Sequence, residues 1–321
     1  MEIADSLIDM KQKNQPAHLL HSIAAAFAAA LISLAPAAAA SPVEGIAAAA
    51  SKWLAAHIAA DGGLSNGFSP GSDVGASADA TIALAAAGLP VDKPVAYLNE
   101  QVRTNSKLNA GQIAKIALAV HAAGLDPRTF AGQDLTQRML AAYKADTGVI
   151  GDSVFTHALA MLALAHSGVA VPAKATATLE ALQSPQGGWA FGGTDAPDVD
   201  TTALAVQALI AVGRPANSGP AGRGIGYLHS LQNADGGFPY QSPSEYGTES
   251  NVNSTALVAQ MIIAAGDQPE SWAVAHGNPL SYLVRMANAS SALRFQSSFA
   301  DDNVLATAGA IPALLRKPVG R

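Results

Sequence analysis

The residues of this chain that could do chemistry are few, and they recur at one kind of place. Asp152, Thr156, His157, Asp198, Asp200, Thr201, Asn251, Asn253 and Asp301 all fall at the beginnings of alanine-rich stretches. Side chains of these types at a helix start either cap free backbone N–H groups or line a mouth that accepts a ligand. Both readings stand open at this stage. Gln207 and Gln260 follow Asp200 and Asn253 by seven residues, which puts each on the same helix face as its acid or amide. Trp189, Phe191, Phe238 and Tyr240 supply aromatic surface at two turns, as packing plugs or as a stacking platform, and Tyr246 stands in the long loop Gln241–Ser250, where extra repeat length often maps to a binding face. The histidines are scattered without metal-ligand spacing. There is no Gly-rich phosphate loop, no Ser-His-Asp order and no HExxH motif. No metal and no cofactor are expected.

The elements that position these residues announce themselves through glycine. Gly88, Gly124, Gly168, Gly213 and Gly266 each end an alanine-rich stretch, at spacings of 36, 44, 45 and 53 residues. Fifteen residues before them stand Asp73, Asn109, Ser153, Asp198 and Asn251, all good N-caps, and ten residues before them stands alanine every time. Periods of this size signal a repeat architecture. A sixth copy, Asp301 to Leu315, keeps a cap and Ala306 but lacks the closing glycine. Between these inner stretches lies an outer set: Val43–Ala60, Pro94–Arg103, Gln133–Lys144, Ala173–Leu182, Arg223–Gln232 and Pro279–Asn288. A linear stack of such pairs would want polar end caps, and none is conspicuous. Closing six pairs into a ring removes the ends. The expected fold is therefore all-α, an (α/α)6 toroid of six helical-pair repeats over residues 41–321. Pro312 is expected to kink the last inner helix and loosen the ring near its seam.

In such a ring the inner N-termini all face one mouth. Their partial positive charges favour an acceptor-rich ligand, but the many acids there partly cancel them. A polar neutral ligand or the basic loop of a partner protein suits this mouth better than a phosphate. The net charge of −6 gives no reason to expect nucleic acid. Lys11 and Lys13, the apolar run Ile23–Leu34 and Ala38-Ala39-Ala40 read as a secretory signal peptide over residues 1–40, with Met10 as a possible true start. The apolar run is too short to span a bilayer, which takes ~20 residues. The chain is thus expected to be exported, extracytoplasmic, and without a transmembrane anchor in the mature part. It contains no cysteine, so no disulfide can form.

Gln183-Ser184-Pro185-Gln186-Gly187-Gly188-Trp189 and Gln232-Asn233-Ala234-Asp235-Gly236-Gly237-Phe238 resemble the repeat of the terpenoid cyclase and protein prenyltransferase superfamily. The prenyltransferase zinc site and the thioester domains of that superfamily need cysteine, which this chain lacks. Asp198-Val199-Asp200-Thr201 resembles the Asp-x-Asp-Asp motif of class II terpene cyclases with Thr in fourth position. That resemblance implies Asp200 as a carboxylic acid that protonates an alkene, with Asp198 as its partner. Ala310-Ile311-Pro312-Ala313-Leu314-Leu315-Arg316-Lys317 looks like the last helix of the cobalamin-binding intrinsic factor and transcobalamin group.

Class II cyclases resemble two fused toroids around an aromatic-lined cavity, whereas this chain has one toroid and 5% aromatic residues. The leading expectation is accordingly a non-catalytic module that binds a small apolar or corrinoid-like ligand, or a protein partner, at the inner-helix mouth. A cyclase-like enzyme using Asp200 is the second reading, and a structural cell-surface scaffold the third.

Overall fold

The computed structural model describes residues 41–320; the signal-peptide reading of residues 1–40 lies outside them. Twelve α-helices alternate between an outer and an inner layer among the described residues. The outer helices are α1 (Pro42–Ala56), α3 (Asp92–Thr104), α5 (Leu135–Ala141), α7 (Ala173–Ala181), α9 (Gly219–Ser230) and α11 (Pro279–Arg285). The inner ones are α2 (Val74–Ala86), α4 (Ala110–Ala122), α6 (Val154–His166), α8 (Val199–Ala211), α10 (Val252–Ala264) and α12 (Val304–Leu314). Each inner helix packs on the next, and α12 packs on α2, so the inner layer is a closed ring. Helix α1 covers α12 as well as α2 and seals the seam. Helix α12 runs through Pro312 and still touches α10 and α2, so the proline does not open the ring. None of the described helices is long and apolar enough to cross a membrane.

The inner helices start and stop as their sequences dictate. The side chains of Asp73, Asn109, Ser153, Asp198 and Asn251 each accept the N–H three residues on, at 2.7–3.1 Å. Glycines 88, 124, 168, 213 and 266 take φ between +66° and +86°, the left-handed turn that closes a helix and that glycine adopts without steric cost. The sixth copy departs from expectation. Its cap is Asn303, which accepts the Ala306 N–H at 2.8 Å, not the exposed Asp301. Its left-handed closing residue is Arg316, at φ +54°. The cap lies two residues later than expected while the close stays at Arg316, so this copy is two residues shorter from cap to close, and the equivalent of Ala256, five beyond the cap, is Ala308.

A second device ties the inner helices α2, α8, α10 and α12 to the turns before them. The residue after the turn donates its N–H to a side chain four positions beyond the cap. Leu64 bonds Ser77, Trp189 bonds Thr202, Phe238 bonds Thr255 and Leu293 bonds Thr307, all at 2.8–2.9 Å. Each hydroxyl passes its own proton to the cap carbonyl at 2.6–2.7 Å. The cap N–H then returns a bond to the turn residue's carbonyl, as from Asp198 to Trp189 at 3.0 Å. Three polar groups that burial would otherwise orphan are satisfied together.

The Gly-Gly turns are held from the other side. Gln183 donates to the carbonyls of Gly187 (2.6 Å) and Pro220 (2.8 Å), and Gln232 to those of Gly236 (3.1 Å) and Trp272 (2.8 Å). Gly187 sits at φ +97°, and a Cβ there would lie 2.9 Å from the Arg223 carbonyl oxygen. Trp189 is fully buried, donates its indole N–H to the Leu179 carbonyl at 2.7 Å, and fills the space that Gly224 leaves on α9.

Thr202→Val should therefore destabilise the fold by about 1–3 kcal/mol, since it orphans the buried Trp189 N–H, while Thr202→Ser should recover most of the loss. Urea unfolding of the two variants checks this; equal stabilities would contradict the clamp.

Candidate functional site

The repeat places side chains in the lumen at fixed distances from each cap. Positions two, six and nine beyond it face inward. At the first level stand Gly75, Phe155, Asp200, Asn253 and Leu305. The middle level carries Asp79, Lys115, Leu159, Leu204, Leu257 and Gly309. Ile82, Leu118, Gln260 and Pro312 form the floor. Together they enclose a cavity of about 380 Å³, at the lower end of the range that holds small organic ligands, ~300–1,000 Å³. The mouth, at the caps, is bordered by Asn66 and the exposed Phe68. The far end is closed by the C-terminal tail: Val319 lines the floor and Gly320 packs on Leu118.

Two carboxylates two residues apart meet different surroundings at the start of α8. Asp198, the cap, is buried and spends both oxygens on backbone donors: Oδ1 accepts from Thr201 N–H at 2.7 Å and Oδ2 from Phe191 N–H at 2.9 Å. Burial raises its pKa, and these bonds oppose the rise. Asp200 is one residue into the helix, lines the cavity, and has a buried Oδ1 with no hydrogen-bond partner. Its pKa is pushed up to about 7, first by desolvation and further by the charge of Asp198, with the Ser254 hydroxyl pulling the other way. Asn251 caps α10 and donates to that hydroxyl at 3.1 Å, leaving the Ser254 proton free to face Asp200. Two neighbouring acids in unlike surroundings, one saturated by N–H donors and one with an unpartnered oxygen, are the pattern of an acid and its partner.

Aromatic surface gathers at the same end. Phe155 lines the cavity and stacks on Phe191 at 6.0 Å. Tyr240 lies close enough to both acids for their charges, after burial, to help push its pKa up to about 12. The structure thus brings Asp200, Asn253 and Gln260 to one sector of the lumen, on α8 and α10, with Asp198, Thr201 and Asn251 buried behind them at the helix starts. Thr201 is buried there, donating its N–H to Asp198, and its hydroxyl is without a partner.

The other residues singled out from sequence lie elsewhere. His157 occupies the position of the clamp hydroxyls: buried, it accepts the Ile150 N–H on Nδ1 (3.0 Å) and therefore donates from Nε2 to the Ala175 carbonyl (3.0 Å). Burial lowers its pKa, as suits a neutral imidazole in the ring wall. Trp189 is core. Gln207 accepts the Val319 N–H at 3.2 Å and so holds the tail. Thr156 bonds Ser153 beside its own cap. Asp152, Asp301 and Tyr246 are exposed and do not line the cavity. Lys115 and Phe155 were not anticipated; the positions six and two beyond their caps are the signal that finds them.

With this geometry in view, comparisons with known proteins were made. No family model matches the chain. A drimenyl diphosphate synthase from Streptomyces showdoensis is 32% identical over 144 residues, covering 43% of this chain and 26% of that relative. The match spans about a quarter of the relative's length. Among solved structures, a type II terpene cyclase from Scytonema with bound geranylgeranyl dihydroxybenzoate superposes with TM-score 0.66 at 13% identity, over 86% of this chain and 97% of that one. A glycosidase (TM-score 0.63, 15% identity, 86% and 98%) and a protein from Actinoplanes (0.65, 15%, 85% and 99%) share the fold. These likenesses establish the fold, an all-α toroid that type II terpene cyclases and a glycosidase share.

They also overturn the expectation of a non-catalytic binding module. That expectation leaned on cyclases needing two toroids, yet a type II cyclase is matched here over nearly its whole chain. The same fold is seen with a cyclase product bound.

The raised pKa of Asp200 carries a linkage consequence. Between the unfolded value of 3.8 and about 7 the native state holds a proton that the unfolded state has lost, so Asp200 costs stability as pH rises through that window. Asp200→Asn mimics the protonated acid. It should stabilise the protein by roughly 2–4 kcal/mol above neutral pH and by nothing near pH ~4, measured by chemical denaturation at both. A difference independent of pH would contradict the assignment.

Proposed function

We propose that this chain is a single-toroid cyclase of the class II type, which protonates an acyclic isoprenoid inside the lumen and closes it into rings. The observation that carries the proposal is Asp200: a carboxyl held protonated near neutrality at the wall of an otherwise largely apolar cavity. Its place in Asp198-Val199-Asp200-Thr201, and the partial likeness to a drimenyl diphosphate synthase, support the same reading.

Asp200 gives its proton to the CH carbon of the isoprenoid's terminal trisubstituted double bond. The π pair becomes the new C–H bond, and the adjacent carbon is left as a tertiary cation. A second double bond of the same chain attacks that cation and forms the ring. Two features of the lumen favour the charge over the neutral alkene. The carboxylate left on Asp200 attracts the cation strongly where water is scarce, and the Phe155 ring offers a π-face. Asp198, with both oxygens taken by backbone N–H donors, does not compete for the proton. Isoprenoid chains suit Leu159, Leu204, Leu257 and Leu305, which contribute apolar wall and no polar competitor.

The test is incubation of the protein with geranylgeranyl dihydroxybenzoate and, separately, with farnesyl diphosphate, followed by chromatography with mass detection, since cyclisation conserves mass. A cyclic isomer is expected, with its rate falling as pH rises through about 7. Asp200→Asn should lose at least about a hundredfold in rate. Recovery of both substrates unchanged at acidic and neutral pH would sink the proposal.

A further inference from the structure

The inner ring runs α2, α4, α6, α8, α10, α12, so α2 and α4 form the sector facing away from the Asp200 wall, with α2 directly opposite α8. That sector holds the charged pair of the middle level: Lys115 Nζ lies 2.6 Å from Asp79 Oδ2. Lys115 takes one oxygen, and Oδ1 receives no hydrogen bond among the described residues. The rest of this level is Leu159, Leu204, Leu257 and Gly309, so a pair that could have faced bulk water stands among apolar walls instead.

The level above leaves the pair uncovered. Two residues beyond the cap, α6, α8, α10 and α12 carry Phe155, Asp200, Asn253 and Leu305, but α2 and α4 carry Gly75 and Gly111. A Cβ on Gly75 would stand 3.9 Å from Lys115 Nζ and 3.2 Å from the Asp73 carboxylate. No side chain from either helix therefore roofs the ion pair, and the space above it belongs to the cavity.

We propose that Asp79 is a second catalytic residue, the base that ends the reaction, with Lys115 positioning its carboxylate; this rests on the proton-initiated reading above. The step balances. A C–H bond next to the final cation breaks, its electron pair forms the C=C of the product, and its proton goes to Asp79. Asp200 is then anionic and Asp79 neutral, and both return to their starting states by proton exchange with water at the mouth. The product is an isomer of the substrate, with no oxidant or co-reactant required. A carboxylate far from the acid also separates the sites of protonation and deprotonation, which keeps the first cation from being quenched before the ring forms.

The same geometry makes Asp79 a cation site in its own right, and that gives a test independent of turnover. Dodecyldimethylamine, protonated near neutral pH, stands in for the cation, and dodecanol for the neutral chain; binding of each is measured by calorimetry. Asp79→Asn should weaken the amine about tenfold and leave dodecanol unchanged, whereas Lys115→Met should strengthen the amine by removing a competing cation. Turnover is then read on farnesyl diphosphate and geranylgeranyl dihydroxybenzoate. Asp79→Asn should still consume substrate and redistribute product toward other double-bond isomers or a water-trapped alcohol. Amine binding indifferent to Asp79, or an unchanged product ratio in Asp79→Asn, overturns the proposal. If the amine responds as stated but the wild type consumes neither substrate, the cyclase reading fails while the cation site stands.

Discussion

Everything in this toroid hangs on how the first turn of each inner helix is satisfied. Six helices point their N–H groups at a single mouth, and the chain must bury those ends without leaving donors unpaired. It does so with the cap of every inner helix and, in five of the six, with the residue four beyond it, which also bonds the turn that brought the chain in; in α4 that position is Ile113. A hydroxyl serves in four repeats and the His157 imidazole in a fifth. The lumen can be lined with little regard for holding the ring together, because the backbone is already secured at its rim.

That arrangement explains how two aspartates in one turn come to differ. Asp198 is consumed by structure: both its oxygens are bonded to N–H groups, and losing its charge would cost the helix its cap. Asp200 inherits the burial without the donors. Its carboxyl is the cheaper of the two to protonate, and the fixed charge of Asp198 makes it cheaper still. Capping falls to one residue of the pair and leaves the other free for acid chemistry, so the alternatives of cap and catalyst, set against each other when the motif is read alone, do not exclude one another.

Much of this was legible in the chain. Five caps and five closing glycines follow from local side-chain chemistry, which tertiary context does not override. The sixth repeat misled because Asp301, Asp302 and Asn303 are all acceptable caps, and no glycine marks the close from which to count back. Arg316 in the left-handed turn does that work, and nothing in its chemistry advertises it. Lumen residues were found where they were polar, as with Asp200, Asn253 and Gln260. Phe155 and Lys115 went unremarked, since residue type alone does not tell an inward from an outward position on an alanine-rich helix. The tail was not legible at all: Gln207 bonds Val319 across 112 positions of sequence, and no local pattern encodes that contact.

The central claim is that a proton held at Asp200 starts a carbocation reaction inside the ring. Running the turnover of farnesyl diphosphate or geranylgeranyl dihydroxybenzoate in deuterium oxide tests it most directly. The account predicts a cyclic product with a single deuterium on the carbon that was the CH carbon of the terminal double bond, and no label in substrate incubated with Asp200→Asn. A cyclic product free of deuterium at that carbon would contradict it.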